Sequence, residues 1–233
     1  MPVSVHIADV GPVKALTLMA RRPKPAKVSG LREANLGLCS PLGRSVVPQP
    51  SPGRLAMVGF WDDDADIDRF EADHAVGQGL AQGFRTRLEP VRAHGSWPGL
   101  DEGITHRRKV DAEGPFVVLT LARTRFSQSV RFFRTSARAE SDLAEAGGLL
   151  WATGFGLPPF VATCSLWADA DSVMAYAYGE QQRLHDSAIG EGRRKSFHKQ
   201  QAFVRFTPYQ SAGSLEGHRN PMASGLLVEP AAA

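Results

Sequence analysis

The apolar positions of this chain fall into two similar series, one in each half. In the second half, PFVVLTLARTRF (Pro115 to Phe126) is apolar and β-branched and predicts a strand. Phe126, Val130, Phe133, Ala137 and Ala144 follow at spacings near one helical turn, with Ser127 or Ser129 as cap and Gly147-Gly148 as stop. LLWATGFG (Leu149 to Gly156) is the next predicted strand. Pro158-Pro159 turns the chain, and FVATCSLWA (Phe160 to Ala168) returns as a strand. Asp169 is placed to cap a helix carrying Val173, Tyr176, Ala177 and Leu184, broken by Gly190 and Gly192, and AFVRFTPY (Ala202 to Tyr209) closes the series. The order is β-α-β-β-α-β, a ferredoxin-like unit.

The first half reads as a shortened copy. Strands are expected at about Val13 to Arg21, Leu31 to Leu38, Leu55 to Trp61 and Phe84 to Val91, with a helix from about Asp64 to Ala75. The first helix of the unit is expected to be nearly absent, replaced by PKPAKVS. A Pro/Ser/Gly-rich loop spans 41–53. The resulting division is an N-terminal unit over 1–99, a linker over 100–114, a C-terminal unit over 115–217 and a disordered tail over 218–233.

Three sequence blocks recur in order. LAMVGFWDDDADIDRF is echoed by VATCSLWADADSVMAY, so that Trp61 matches Trp167 and Phe70 matches Tyr176, both 106 positions apart. KALTLMARR is echoed by VVLTLARTR, and RLEPVRAHGSWPG by RFTPYQSAGSLEG. Two copies of a unit that cannot bury its apolar face alone pack against each other. The fold class expected is therefore α+β, with tandem βαββαβ repeats forming an α+β barrel within one chain. Two sheets face to face would enclose a central cavity, and ligand sites favour such places.

Composition narrows the function. A net charge of +3 is spread along the chain, and the basic clusters at Arg21-Arg22, Arg107-Arg108-Lys109 and Arg193-Arg194-Lys195 are too short for a nucleic-acid footprint. No apolar run approaches the ~18 residues of a membrane span, and no leader is evident, so a cytoplasmic, reduced, non-transmembrane protein is expected. Cys39 and Cys164 fit no metal spacing, and Cys164 reads as a buried small hydrophobe. Asp62-Asp63-Asp64 and Asp66 read as a helix start. GFGLPP is no dinucleotide fingerprint, because no helix follows its glycines. Of the seven histidines (6, 74, 94, 106, 185, 198 and 218), His185 sits beside the apolar arc of its helix and is the best ligand candidate, while His198 reads as a surface residue.

The strand FVVLTLARTR, the helix start VRFFR, the stretch Leu149 to Gly179, His185 and AFVRFTPY with AGSLEG together resemble the spheroidene monooxygenase family over about Pro115 to Gly217. The first half matches more loosely, through LAMVGFW and HGSWPG. The resemblance implies a haem-dependent monooxygenase-like enzyme acting on a hydrophobic small molecule, with molecular oxygen and an electron donor, carotenoid being the family's substrate. It implies haem b, with His185 as the axial ligand to iron. Arg183, Arg193 and Arg194 are near in sequence for the propionates, and Trp151, Phe155 and Trp167 are candidates for the apolar wall. Two halves in one chain can complete the barrel alone, so a dimer is not required; exposed sheet edges are expected to be free to pair, and the assembly is a monomer or a homodimer. Two other readings of the same fold are a non-enzymatic barrel binding haem or another small ligand, and a haem-degrading or cofactor-independent monooxygenase.

Overall fold

The computed structural model describes residues 1–42, 49–107, 114–125, 143, 146–178, 198–215 and 218–219. Eight antiparallel strands close into one barrel: β1 (Val3–Asp9), β2 (Leu31–Ser40), β3 (Arg54–Trp61), β4 (Phe84–Gly95), β5 (Phe116–Thr124), β6 (Leu149–Leu157), β7 (Phe160–Trp167) and β8 (His198–Ala212). The order around the barrel is β1-β3-β2-β6-β7-β5-β8-β4, with β4 returning to β1. Among the described residues four α-helices lie outside: α1 (Pro12–Ala20), α2 (Asp64–Asp73), α3 (Ala75–Leu80) and α4 (Ala170–Tyr178). A two-stranded pair, β9 (Ser214–Leu215) with β10 (His218–Arg219), ends the described chain, so the first two residues of the expected tail are paired and the rest lie outside the described residues.

The α+β class and the duplicated unit hold, and two expectations within them are corrected. Val13 to Arg21 is not a strand. Pro12 stands at the first helical position, where its missing N–H costs nothing, and the following Lys, Ala, Leu and Met residues are strong helix formers. The first strand is instead VSVHIAD, whose Val3, Val5 and Ile7 face the barrel core. The N-terminal unit therefore keeps its first helix. Registers give the true correspondence: Val3 pairs with Phe60 and Leu88, and Val117 with Leu166 and Phe206, so β1 matches β5 at 114 positions. The expected helix over 126–146 lies outside the described residues save at its end, where Leu143 is helical and buried.

The second correction concerns how the halves meet. They join edge to edge, through β2–β6 and β4–β8, rather than only face to face, so the strand edges expected to be free are hydrogen-bonded. The β4–β8 seam is symmetric. Glu89 pairs with Thr207, its own equivalent 118 positions on, and Leu88–Pro208 mirrors Pro90–Phe206 on either side. Among the described residues the middle of the barrel is a packed core where a hollow was expected. Val5, Val58, Phe60, Leu88, Leu119, Val204 and Phe206 have no accessible surface at all, so no water-sized void touches them. Eight strands give a bore just wide enough for side chains to fill.

The repeat extends to fine detail. Asp63 accepts from Asp66 N at 3.0 Å and Asp169 from Ser172 N at 2.7 Å, both at 106 positions, so each second helix starts on the same cap and the acidic run at 62–66 is a helix start. Gly30 and Gly148 precede β2 and β6 with φ +67 and +77. A Cβ at either would strike the cap-turn side chain, Asp66 or Ser172, and each carbonyl accepts at 2.8 Å from the residue after the matched tryptophan. The loop over 41–53 replaces a two-residue turn in the second half, which is why the spacing of the repeat drops from 118 to 106 across it.

Candidate functional site

The two halves differ most on their outward sheet faces. In the N-terminal half His6, Leu36, Leu55 and Met57 are buried under α1, α2 and α3, and Trp61 and Phe70 complete that layer. The equivalent positions of the C-terminal half hold Thr120, Gly154, Val161 and Thr163, with Gly156 in place of Leu38. Every one is smaller, and Thr120, Val161 and Thr163 are half-buried where their counterparts are buried. Interiors are close-packed, so the smaller side chains of this face leave volume to be filled from outside the sheet. Helix α4 packs on β7 at this face. The chain leaves α4 at Tyr178 and re-enters the barrel at His198, opposite Thr124.

A second feature lies inside one end of the barrel. Arg123 follows Val117, Leu119 and Leu121 on the inward face of β5, and its guanidinium donates to Glu33 Oε1 at 2.6 Å and Gln200 Oε1 at 3.0 Å. It also lies 4.9 Å over the ring of Trp97. Trp97 packs on Phe160, and Phe160 on Phe155, at centroid distances of 5.9 and 5.7 Å. Burial pushes the Glu33 carboxyl above its ordinary range, against the pull of the Arg123 charge and of Asn35. Asn35 Nδ2 and Trp97 Nε1 are buried without an aligned acceptor. Residues 97–104 close this end, with Leu100 and Ile104 packed on the core.

The outer layer of the N-terminal half holds a third polar group. His6 is fully buried and its Nε2 lies 2.9 Å from Glu71 Oε1 on α2. Arg87 pairs with Asp64 and Asp68, and Tyr209 donates to Asp64 at 2.7 Å. One face of α2 is thereby tied to β4 and β8. His74 stacks on Phe70 at 5.0 Å and caps α3 through Val76 N.

Of the site residues named from sequence, Phe155 is buried on the inner wall and Trp151, half-buried on the same wall, packs against the barrel core. Both lie on the opposite side of β6 from Gly154 and Gly156. His185, Arg183, Arg193 and Arg194 lie outside the described residues. Cys164 is buried as expected, and burial, with Cys39 adding a little, pushes its thiol up to about 12. Among the described residues no three His, Cys, Asp or Glu side chains gather as a metal site. Glu33 and Arg123 escaped the sequence reading, although a charge at the inward position of an apolar strand was the available signal.

No protein-family model matches the chain. It is 31% identical over 177 residues to the spheroidene monooxygenase of Rubrivivax gelatinosus, a match covering 73% of this chain and 66% of the relative. The chain is a relative of spheroidene monooxygenase. The resemblance read from sequence is borne out, over just under two thirds of the length of the spheroidene monooxygenase it matches. Solved structures similar to it include an anthrone oxidase-like protein, with a TM-score of 0.35 and 14% identity over 100% of this chain and 95% of that one. A heme-degrading enzyme from Listeria monocytogenes aligns with a TM-score of 0.31 and 12% identity over 86% of this chain and 98% of that one. No helix among the described residues is long and apolar enough to cross a membrane.

Proposed function

We propose that the chain is a haem-dependent monooxygenase acting on a hydrophobic small molecule, with molecular oxygen and an electron donor as co-reactants. The observation that carries this reading is the loss of side-chain volume on the outward face of the C-terminal sheet, set beside the kinship with spheroidene monooxygenase. A flat, largely apolar group such as haem b suits a face lined by Thr120, Gly154, Gly156, Val161 and Thr163. His185 would hold it, since a neutral imidazole is a suitable axial ligand, and His185 follows α4 in sequence. Arg183, Arg193 and Arg194 would meet the propionates with fixed positive charge. Trp151 and Phe155 stand behind β6 and stiffen the wall from the barrel side. When bound, the haem supplies the oxygen-activating chemistry; the chain's part is to seat it, shield it from water and present the apolar substrate.

The test is the visible spectrum of the full chain purified after expression with a haem precursor. A Soret band that His185→Ala abolishes, with the far-ultraviolet circular dichroism unchanged, is the expected result. A colourless protein that takes up no added haem would overturn the reading in favour of a barrel without this cofactor. Haem uptake followed by bleaching with a reductant would instead assign haem degradation.

A further inference from the structure

Helix α1 is apolar on both sides. Ala15 and Leu18 are buried against β2, β3 and α3. On the opposite side Val13 is 80% exposed and Leu16 65% exposed, among the largest exposed apolar side chains of the described residues. At about 100° per residue, Leu16, Ala20, Val13 and Thr17 form one outward arc without a charge. The hydrogen bond from Thr17 Oγ1 to the Val13 carbonyl, at 3.1 Å, turns even that hydroxyl back onto the helix.

The charge along the segment that carries this arc is of one sign. From Val10 to Gly30 the chain holds Lys14, Arg21, Arg22, Lys24 and Lys27 and no Asp or Glu. All five cations are exposed. The adjacent carboxylate, Asp9, is held by Arg54 at 2.8 Å; on α2, Asp64 and Asp68 are held by Arg87, and Asp66, which lies beside Gly30, by Arg69. A core-facing helix needs one apolar stripe, and this one has two. An exposed apolar ridge rimmed by cations has the chemistry of a helix that lies in a lipid headgroup layer, where the ridge enters the acyl boundary and the cations meet anionic phosphates.

We infer that α1 and the basic turn after it form a docking surface for an anionic lipid bilayer. Val13 and Leu16 insert, and Lys14, Arg21, Arg22, Lys24 and Lys27 hold the surface. The inference is independent of haem, since neither the ridge nor its cations belong to the C-terminal face. It also supplies a physical route for an apolar substrate dissolved in lipid.

The experiment is co-sedimentation of the purified full chain with vesicles of phosphatidylcholine alone or of phosphatidylcholine containing a third phosphatidylserine. Binding is expected only to the anionic vesicles, and raising salt from about 0.05 to 0.5 M, which shortens the screening length severalfold, should release the protein. Val13→Ser with Leu16→Ser, and separately Arg21→Glu with Arg22→Glu, should each weaken binding at least tenfold, on the order of the loss of two inserted side chains or of two surface cations. These positions are exposed, so circular dichroism should match the parent. Equal sedimentation with both vesicle types, or anionic binding untouched by the Val13/Leu16 pair, would overturn the inference. So would a homodimer in sedimentation velocity that Leu16→Ser dissociates, because the ridge would then be covered by a second copy of the chain.

Discussion

Trp61 and Trp167 make the same hydrogen bond with serines from unrelated places. Each is buried, and each indole Nε1 donates over 2.9 Å to a serine hydroxyl, Ser4 from β1 for Trp61 and Ser165 from β7 itself for Trp167. The position equivalent to Ser4 in the second half is Val118, so the acceptor has been replaced while the contact is kept. Each ring also leans on the aromatic nine residues on, Phe70 at 5.1 Å and Tyr176 at 5.2 Å. Buried indoles as a rule find an acceptor, and at these two positions each half supplies one.

Removing one acceptor should therefore cost more than its size suggests. Ser4→Ala leaves the Trp61 indole N–H buried and unpaired, at about 1–3 kcal/mol. Urea unfolding should show this loss, with Trp61→Phe in the Ser4→Ala background costing less than in the parent. Equal costs in the two backgrounds would remove the coupling.

Glu33 and Arg123 should titrate as partners. Burial already raises the Glu33 carboxyl, and the Arg123 charge restrains that rise. Arg123→Met should push the carboxyl further up, read as a carbon-13 NMR titration of Glu33. An acid raised by folding stabilises most below its unfolded value, about 4.3, and that share is lost as pH climbs through the folded value. Arg123→Met should therefore lose stability with rising pH, and Glu33→Gln added to it should recover part of the loss.

Glu71 should act in the opposite sense. Burial works to raise its carboxyl, but the hydrogen bond and charge of His6, with Arg85 and Arg87, hold it below the ordinary range. A lowered acid stabilises the fold above about pH 4.3 and ceases to as pH falls through its native value. Glu71→Gln should be less stable than the parent at neutral pH, and thermal unfolding should show the gap closing in acid. His6→Leu, by removing the partner, should lessen the same acid dependence.

Much of the second half was legible because its strands are β-branched and bounded by Gly and Pro. β5, β6 and β7 fall where the pattern puts them, and Asp169 caps as expected. Val13 to Arg21 misled because a helix apolar on two sides leaves no clean periodicity, and its likeness to VVLTLARTR concealed the alternation of Val3, Val5 and Ile7 upstream. The Glu33–Arg123 pair joins residues 90 apart, beyond any local pattern. The smaller side chains of the C-terminal face could be read only after the strands were matched, because the spacing of the repeat changes between β2 and β3.

The symmetric seam at Glu89 and Thr207 has a consequence for the chain's past and for its dissection. Cut away from its twin, the N-terminal half would expose the rims of β2 and β4 together, and another copy of the same half offers a ready complement to both. Such a fragment would assemble in pairs, reproducing the arrangement from which a fused gene would descend.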